Sequence, residues 1–280
     1  MNQIDTLRDQ YIALLKNVVT FSLWEGADGS VWRPRRMSSA AQVTRHLFGH
    51  FHLDVVSKVS PERRENGQDW PRLAHTMIGL KRMNNLEDCL RTILREQVPG
   101  DVIETGVWRG GACLFMRGFL QAYGVTDRTV WVADSFEGLP APDPELYPAD
   151  RGDKHHAEPD LAVSLKDVQN NFRSYGLLDD QVRFLKGWFK DTLPTAPIEQ
   201  LALIRLDGDM YSSTIESLEA LYPKLSPGGF VIVDDYGAVE GCRRAVEEFR
   251  DSNNILSPLV KIDWTGAYWR KSESTASQGE

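Results

Sequence analysis

Cysteine is scarce in this 280-residue chain: Cys89, Cys113 and Cys242 stand alone, far apart. An odd number at wide spacing argues against a disulfide framework and against a clustered-thiolate zinc site. Long apolar runs are missing as well. A charge-free stretch such as 18–24 falls far short of the ~20 residues that a membrane span needs. The basic excess typical of chains that bind phosphate backbones or anionic lipid is absent. Lys plus Arg is 32 against 40 for Asp plus Glu, a net charge of −8. Such a surface repels both partners, so no nucleic acid and no membrane are expected. Repeats and low-complexity tracts are lacking too. MNQIDTLRDQ at the start carries acidic residues and no apolar core, so no secretory signal and a soluble, cytoplasmic protein are expected.

What is present is an ordinary globular balance, 41% hydrophobic and 26% charged, with a length that suits one large domain plus an appendage. Residues 4–18 show helical periodicity, with Ile4, Leu7, Tyr11, Leu14, Leu15 and Val18 on one stripe. Residues 24–72 are irregular and rich in Arg, Pro and Trp, with one helix near 39–50. A second amphipathic helix is expected at 74–97, ended by Pro99 and Gly100. Beyond Gly100 the texture changes. Apolar runs recur at DVIET (101–105), TVWVAD (129–134), VRFLKG (182–187), LALIRLD (201–207) and GFVIVDD (229–235). Helical patterns fall between them at about 111–123, 164–175, 212–224 and 239–250, and a terminal hairpin is expected near 258–263 and 267–271. Strands alternating with helices mean an α/β fold whose mostly parallel sheet is covered on both faces. The expected organisation is a helical N-terminal extension (1–98), an α/β core (99–272) and a disordered tail (273–280).

One segment breaks the rhythm. Residues 137–163 hold five prolines and seven acidic residues, with His155 and His156, and no periodicity. A loop of that length after a strand's carboxyl end reads as a lid or binding loop.

Three motifs carry candidate chemistry. Glu104-Thr105-Gly106-Val107-Trp108-Arg109-Gly110-Gly111 joins a strand to a helix, where Gly106 and Gly110 let the backbone approach a ligand. An acid at the strand end suits a cation or a ribose better than a pyrophosphate. That favours S-adenosylmethionine over a dinucleotide. Asp134-Ser135 ends the next strand, where a carboxylate is placed to accept ribose hydroxyls; a turn cap is the competing role. Asp207-Gly208-Asp209 and Asp234-Asp235 end two further strands, and four converging carboxylates need a cation between them. Hard oxygen donors point to Mg²⁺. If residues 207–209 continued the strand, the side chains of Asp207 and Asp209 would share a face.

Weaker candidates accompany them. Gly187-Trp188-Phe189 offers aromatic cover for an adenine or core packing. His75-Thr76-Met77 is placed at the opening of a helix, as a cap or a ligand-facing turn. His46, His50 and His52 lack a completing acid, so packing is their expected role.

Taken together, HTMIGLKRMNNL, GDVIETGVWRGGAC, VWVADSFEGLP, NFRSYGLLDDQVRFLKGWFKDTLP, LDGDMYSS and LSPGGFVIVDDY resemble the macrocin O-methyltransferase family over about residues 70–269. The resemblance implies a class I methyltransferase fold, a Rossmann-like, doubly wound, seven-stranded sheet. It implies S-adenosylmethionine and Mg²⁺ as cofactors and methylation of a deoxysugar hydroxyl on a glycosylated antibiotic. It also implies a homo-oligomer whose acceptor site is shared between subunits. Carried over residue by residue, Asp207, Asp234 and Asp235 resemble the metal ligands and Asp209 the general base. Thr76, Met77, Glu104, Gly106, Gly110, Asp134, Ser135, Gly187, Trp188 and Phe189 resemble cofactor contacts. The alternatives are a metal-dependent methyltransferase for a catechol or other vicinal diol and, more remotely, a haloacid-dehalogenase-like phosphatase or a glycosyltransferase with an Asp-x-Asp metal site. In the phosphatase reading Met210-Tyr211 departs from the motif and the Glu104 loop has no task.

Overall fold

The computed structural model describes residues 3–24, 29–31, 38–51 and 56–272. Its N-terminal part holds α1 (Gln3–Val19), β1 (Gly29–Val31), α2 (Ser39–His50), β2 (Val56–Lys58), α3 (Pro61–Glu65) and α4 (Gly79–Arg95). β1 and β2 form a small antiparallel pair. After β3 (Asp101–Thr105) come α5 (Gly111–Ala122), β4 (Val130–Asp134), α6 (Leu165–Ser174), β5 (Val182–Lys186) and α7 (Phe189–Thr192). Then follow β6 (Leu201–Leu206), α8 (Tyr211–Leu221), β7 (Leu225–Val233), α9 (Glu240–Ser252), β8 (Val260–Lys261) and β9 (Ala267–Arg270).

The main sheet has seven strands in the order β5-β4-β3-β6-β7-β9-β8. Pairing is parallel from β5 to β7 and antiparallel at β7–β9 and β9–β8. The mostly parallel sheet expected from the alternating pattern is therefore present, in the doubly wound, Rossmann-like form that the family resemblance implies. β3 pairs with β4 on one side and β6 on the other, so the chain reverses its direction of travel there. Ligands of open α/β sheets bind in the crevice outside the strand ends at such a point. β6 is buried along its whole length, as expected for a parallel strand covered on both faces. One face packs under α1, α4, α5 and α6 through Ile12, Leu90, Phe115 and Phe172. The other packs under α8 and α9 through Leu218, Val246 and Phe249.

Two local expectations are corrected. In α1 the buried side chains are Ile12, Leu15 and Val19, whereas Ile4, Leu7, Tyr11 and Leu14 are 38–68% exposed. The face chosen is the one that fits α5: a Cβ at Gly118 would lie 2.3 Å from Leu15 Cδ2, so this glycine admits the neighbouring helix. The second helix begins at Gly79 rather than near residue 74. The His75 and Thr76 N–H groups donate to the Val19 carbonyl at 2.8 and 3.2 Å, and Gly79 has φ +73°, so the chain turns before it coils. The expected disordered tail, 273–280, lies outside the described residues. The three cysteines are buried and free.

Candidate active site

The carboxyl ends of β3, β4, β6 and β7 open into one cavity of about 970 Å³, roofed by the 137–163 loop. On its β3 side the turn needs glycine: Gly106 has φ +84°, and a Cβ there would lie 1.8 Å from the Asp207 carbonyl oxygen. The two strand ends thus touch, which places the glycine turn against the carboxylate motif.

Asp134 ends β4 beside that turn. Its Oδ2 accepts the Val107 N–H at 2.8 Å and its Oδ1 the Phe136 N–H at 2.7 Å. Burial raises its pKa, and those two N–H groups oppose the rise. The Ser135 hydroxyl and the Trp108 N–H oppose it as well. Ser135 closes its own turn, donating to the Gly138 carbonyl at 2.6 Å, and still lines the cavity, as do Thr76, Met77, Gly187, Trp188 and Phe189. Thr76 and Met77 arrive from the segment before α4 rather than from a helix start. Gly110 is not among the lining residues; it sits against α6, where a Cβ would lie 2.9 Å from Val168 Cγ1. Glu104 lines the cavity but is 2% exposed. Its two oxygens accept from Arg205 and from the Cys113 thiol.

Arg205 changes the argument about charge. The register sets it directly beside Glu104, and its guanidinium reaches Glu104, Asp207 and Asp234. Arg82, from α4, pairs with the other oxygen of Asp234 and with Asp263. The four strand-end carboxylates therefore do not depend on a metal alone for compensation; the chain supplies two cations of its own. The signal for Arg205 was in the sequence, a single arginine inside LALIRL, because a charge in a fully buried strand requires a partner. Arg82 and Asp263 carried no such signal.

A surplus of negative charge remains. Glu104, Asp207, Asp209, Asp234, Asp235 and Asp263 outnumber the two arginines. Burial and then Asp234 push the Asp207 carboxyl up to about 8, against the pull of Arg205. Burial, Asp209 and Asp207 push Asp235 well above the carboxylate range. Asp207, Asp234 and Asp235 each present an oxygen, all within 4.8 Å of one another. Three hard donors at that spacing, in a surplus of negative charge, fit a divalent cation such as Mg²⁺, whose binding would displace the protons that Asp207 and Asp235 hold.

Asp209 stands apart from this trio. The strand ends at Leu206, and Asp209 adopts φ +55° in the turn that follows. Its N–H donates to Asp235 Oδ2 at 3.2 Å. Burial raises its carboxyl to about 6, with His155 opposing. His155 was legible only as a histidine in the loop. Asp153 grips it twice, accepting its N–H at 2.8 Å and meeting Nδ1 at 2.6 Å. The loop is fastened on both sides of the cavity. Trp108 Nε1 donates to the Asp160 carbonyl at 2.7 Å, and the carboxylate of Asp150 accepts from the start of α8. His46 and His50 are exposed on α2, away from these groups; His52 lies outside the described residues. Among the described residues no helix is long and apolar enough to cross a membrane.

Known proteins resemble this chain along most of its length. The chain matches the family described as Macrocin-O-methyltransferase (TylF) over residues 8–271. It is 58% identical over 214 residues to mycinamicin III 3''-O-methyltransferase of Micromonospora griseorubida, covering 75% of this chain and 84% of that one. It is 56% identical over 270 residues to 8-demethyl-8-(2,3-dimethoxy-alpha-L-rhamnosyl)-tetracenomycin-C 4'-O-methyltransferase of Streptomyces olivaceus, covering 96% and 95%. Among solved structures, the O-methyltransferase NovP superposes with a TM-score of 0.83 at 46% identity, covering 95% of this chain and 100% of that one.

Proposed function

The chain belongs to the macrocin O-methyltransferase family, and from that premise we propose that it moves the methyl group of S-adenosylmethionine to a sugar hydroxyl of a glycosylated natural product. The family makes it an O-methyltransferase, and the fold implies the methyl donor; the acceptor and the metal are our reading. One relative's name specifies a rhamnosyl tetracenomycin, another mycinamicin III. The rhamnosyl group in the first name supports a sugar as the acceptor here.

The observation that carries this reading is the convergence of Asp134 and the Asp207, Asp234 and Asp235 trio on one cavity. Asp134 holds the turn at Val107 and Phe136 with the same carboxylate that would accept the ribose hydroxyls. Thr76, Met77, Trp188 and Phe189 complete the cofactor wall. Asp207, Asp234 and Asp235 would hold Mg²⁺. When bound, the cation and the sulfonium would supply, respectively, acidification of a chelated acceptor hydroxyl and the methyl group. Asp209, beside the trio and outside the arginine network, accepts the hydroxyl proton on its carboxylate. The loop over the cavity excludes water. Residues 1–98 serve as an extension to the core at 99–272. The apolar side chains exposed on α1 and α2, such as Leu7, Leu14 and Leu47, support a homo-oligomer with a shared acceptor site.

Exhaustive treatment with EDTA is expected to abolish turnover, and excess Mg²⁺ to restore it. Full activity in protein shown metal-free by elemental analysis would remove the metal from this reading. Asp134→Ala is expected to weaken S-adenosylmethionine binding by ~1.5–3 kcal/mol, the worth of hydrogen bonds to a charged group. Unchanged affinity in calorimetry would place the ribose elsewhere. The acceptor itself is found by mass spectrometry, with labelled donor offered to a panel of glycosides, nucleotide sugars and catechols. Label on catechols alone would replace the sugar by the diol alternative.

A further inference from the structure

We propose that Asp150, on the loop that roofs the cavity, is a positioning residue that fixes the turn carrying Asp209. This rests on the reading of Asp209 as proton acceptor and adds a residue to that machinery. The turn needs holding. Asp209 takes φ +55°, a left-handed conformation that a residue with a Cβ adopts only at a cost. Its chain then enters α8 through Met210, which has no oxygen with which to cap the helix. The first N–H groups of α8 would be orphans.

Asp150 supplies the missing acceptor from 61 residues away in the chain. Its Oδ1 accepts the Tyr211 N–H at 2.7 Å and its Oδ2 the Ser212 N–H at 3.0 Å. The residue is 3% exposed, so water does not replace either bond. Its own backbone is fastened as well. The Asp150 N–H donates to the Tyr147 carbonyl, and the Asp150 carbonyl accepts the Asp153 N–H, each at 3.0 Å. Tyr147 in turn stacks beside Tyr211, ring centres 5.9 Å apart, and donates to Glu216 at 3.1 Å. The carboxylate cannot swing away while the loop stays docked. Asp153 is the residue that grips His155, which faces Asp209. One buried carboxylate therefore joins the loop to the helix start, and sets the Asp209 turn relative to the roof above it. An acid in this position serves geometry, because a proton acceptor must sit within hydrogen-bond reach of its hydroxyl and a shift of about 1 Å costs on the order of 10²-fold.

The test is a kinetic cycle on the full chain with Asp150→Asn, Asp209→Asn and the double variant. Calorimetry with S-adenosylmethionine and thermal melts run alongside. Asp150→Asn keeps the shape, but its amide accepts on one atom only and carries no charge. Its kcat should fall by about 10–10²-fold, with KM and affinity for S-adenosylmethionine within about twofold of the parent protein. The loss should vanish in the Asp209→Asn background, because a turn with no proton acceptor gains nothing from being held. Should Asp150→Asn fail to fold, Asp150→Ser replaces it, small enough for the site and able to accept one of the two N–H groups. A slow Asp209→Asn whose rate falls again by the full factor on adding the Asp150 change would overturn the positioning role alone. A harmless Asp209→Asn would overturn the proton-acceptor assignment and this proposal with it. Unchanged kcat in folded Asp150→Asn would overturn the proposal outright.

Discussion

The Asp209→Asn variant is expected to lose kcat by on the order of 10²–10⁴, the usual contribution of a positioned base, while binding both metal and cofactor almost as the parent does. The substitution preserves shape and removes only the capacity to take a proton. Among the described residues that carboxylate joins no salt bridge, its charge is felt by His155 on the loop, and the hydrogen bond at this position is made by its backbone N–H. Asp207 offers the contrast two residues away. Its carboxylate accepts from Arg205 at 2.7 Å and shares the three-oxygen cluster with Asp234 and Asp235. Asp207→Asn should therefore lose metal affinity first, and high Mg²⁺ should recover part of its rate. The measurements are single-turnover methyl transfer and metal titration on both variants. Equal loss of metal binding, with equal rescue, would make the four carboxylates one interchangeable cluster and take Asp209 out of the base role.

That division between Asp207 and Asp209 is legible in the sequence only as a spacing with a glycine between the two acids. Continuing the strand would have put both side chains on one face. The strand instead stops at Leu206, and the left-handed Asp209 turns the second acid away from the first. Periodicity reported the strands well because each is an apolar run bounded by turn residues, a property of neighbouring positions in the chain. DVIET and VRFLK lie where their runs placed them. The cavity's acids were legible for the same reason, since each sits at the end of such a run. What the pattern could not carry was partnership across the fold. α1 offers two overlapping apolar stripes, and only the shape of α5, with Gly118 at the contact, selects Ile12, Leu15 and Val19. Asp150 is one of seven acids in an aperiodic loop, and no local rule ties it to Tyr211. Glu104 suits a ligand's cation or ribose by its place in the sequence, and the adjacent strand provides a cation, Arg205.

Removing that internal cation is the largest stability change expected for this protein. Arg205→Met keeps the unbranched, apolar stem inside β6 but leaves Glu104, Asp207 and Asp234 without the guanidinium that reaches all three. Arg82 still serves Asp234, so the uncompensated charge falls mainly on Glu104 and Asp207. Breaking a buried pair by deleting one partner costs ~3–5 kcal/mol, because the stranded charge stays in a medium that solvates it poorly. The penalty has a direction in pH. Burial already raises the Glu104 and Asp207 carboxyls above their ordinary values, with Arg205 opposing. Without Arg205 both rise further. A carboxyl whose pKa is higher folded than unfolded binds more protons in the native state, so its contribution is fully present below the unfolded pKa and is lost as pH rises through the folded one. For Asp207, already at about 8 in the parent chain, native proton binding in parent and variant is alike below that value and diverges above it. The gap between variant and parent should thus be smallest in acid, where both native states hold their protons, and widen as pH rises through the parent's folded values, for Asp207 beyond about 8. Urea denaturation at several pH values reads both the size and the slope. Added Mg²⁺ should return part of the loss at neutral pH, since a ligand that binds only the folded state stabilises it by mass action. A loss under about 1 kcal/mol at every pH, set against the cost of breaking a buried pair, would mean that Arg205 does not hold the acids in place and that another cation does.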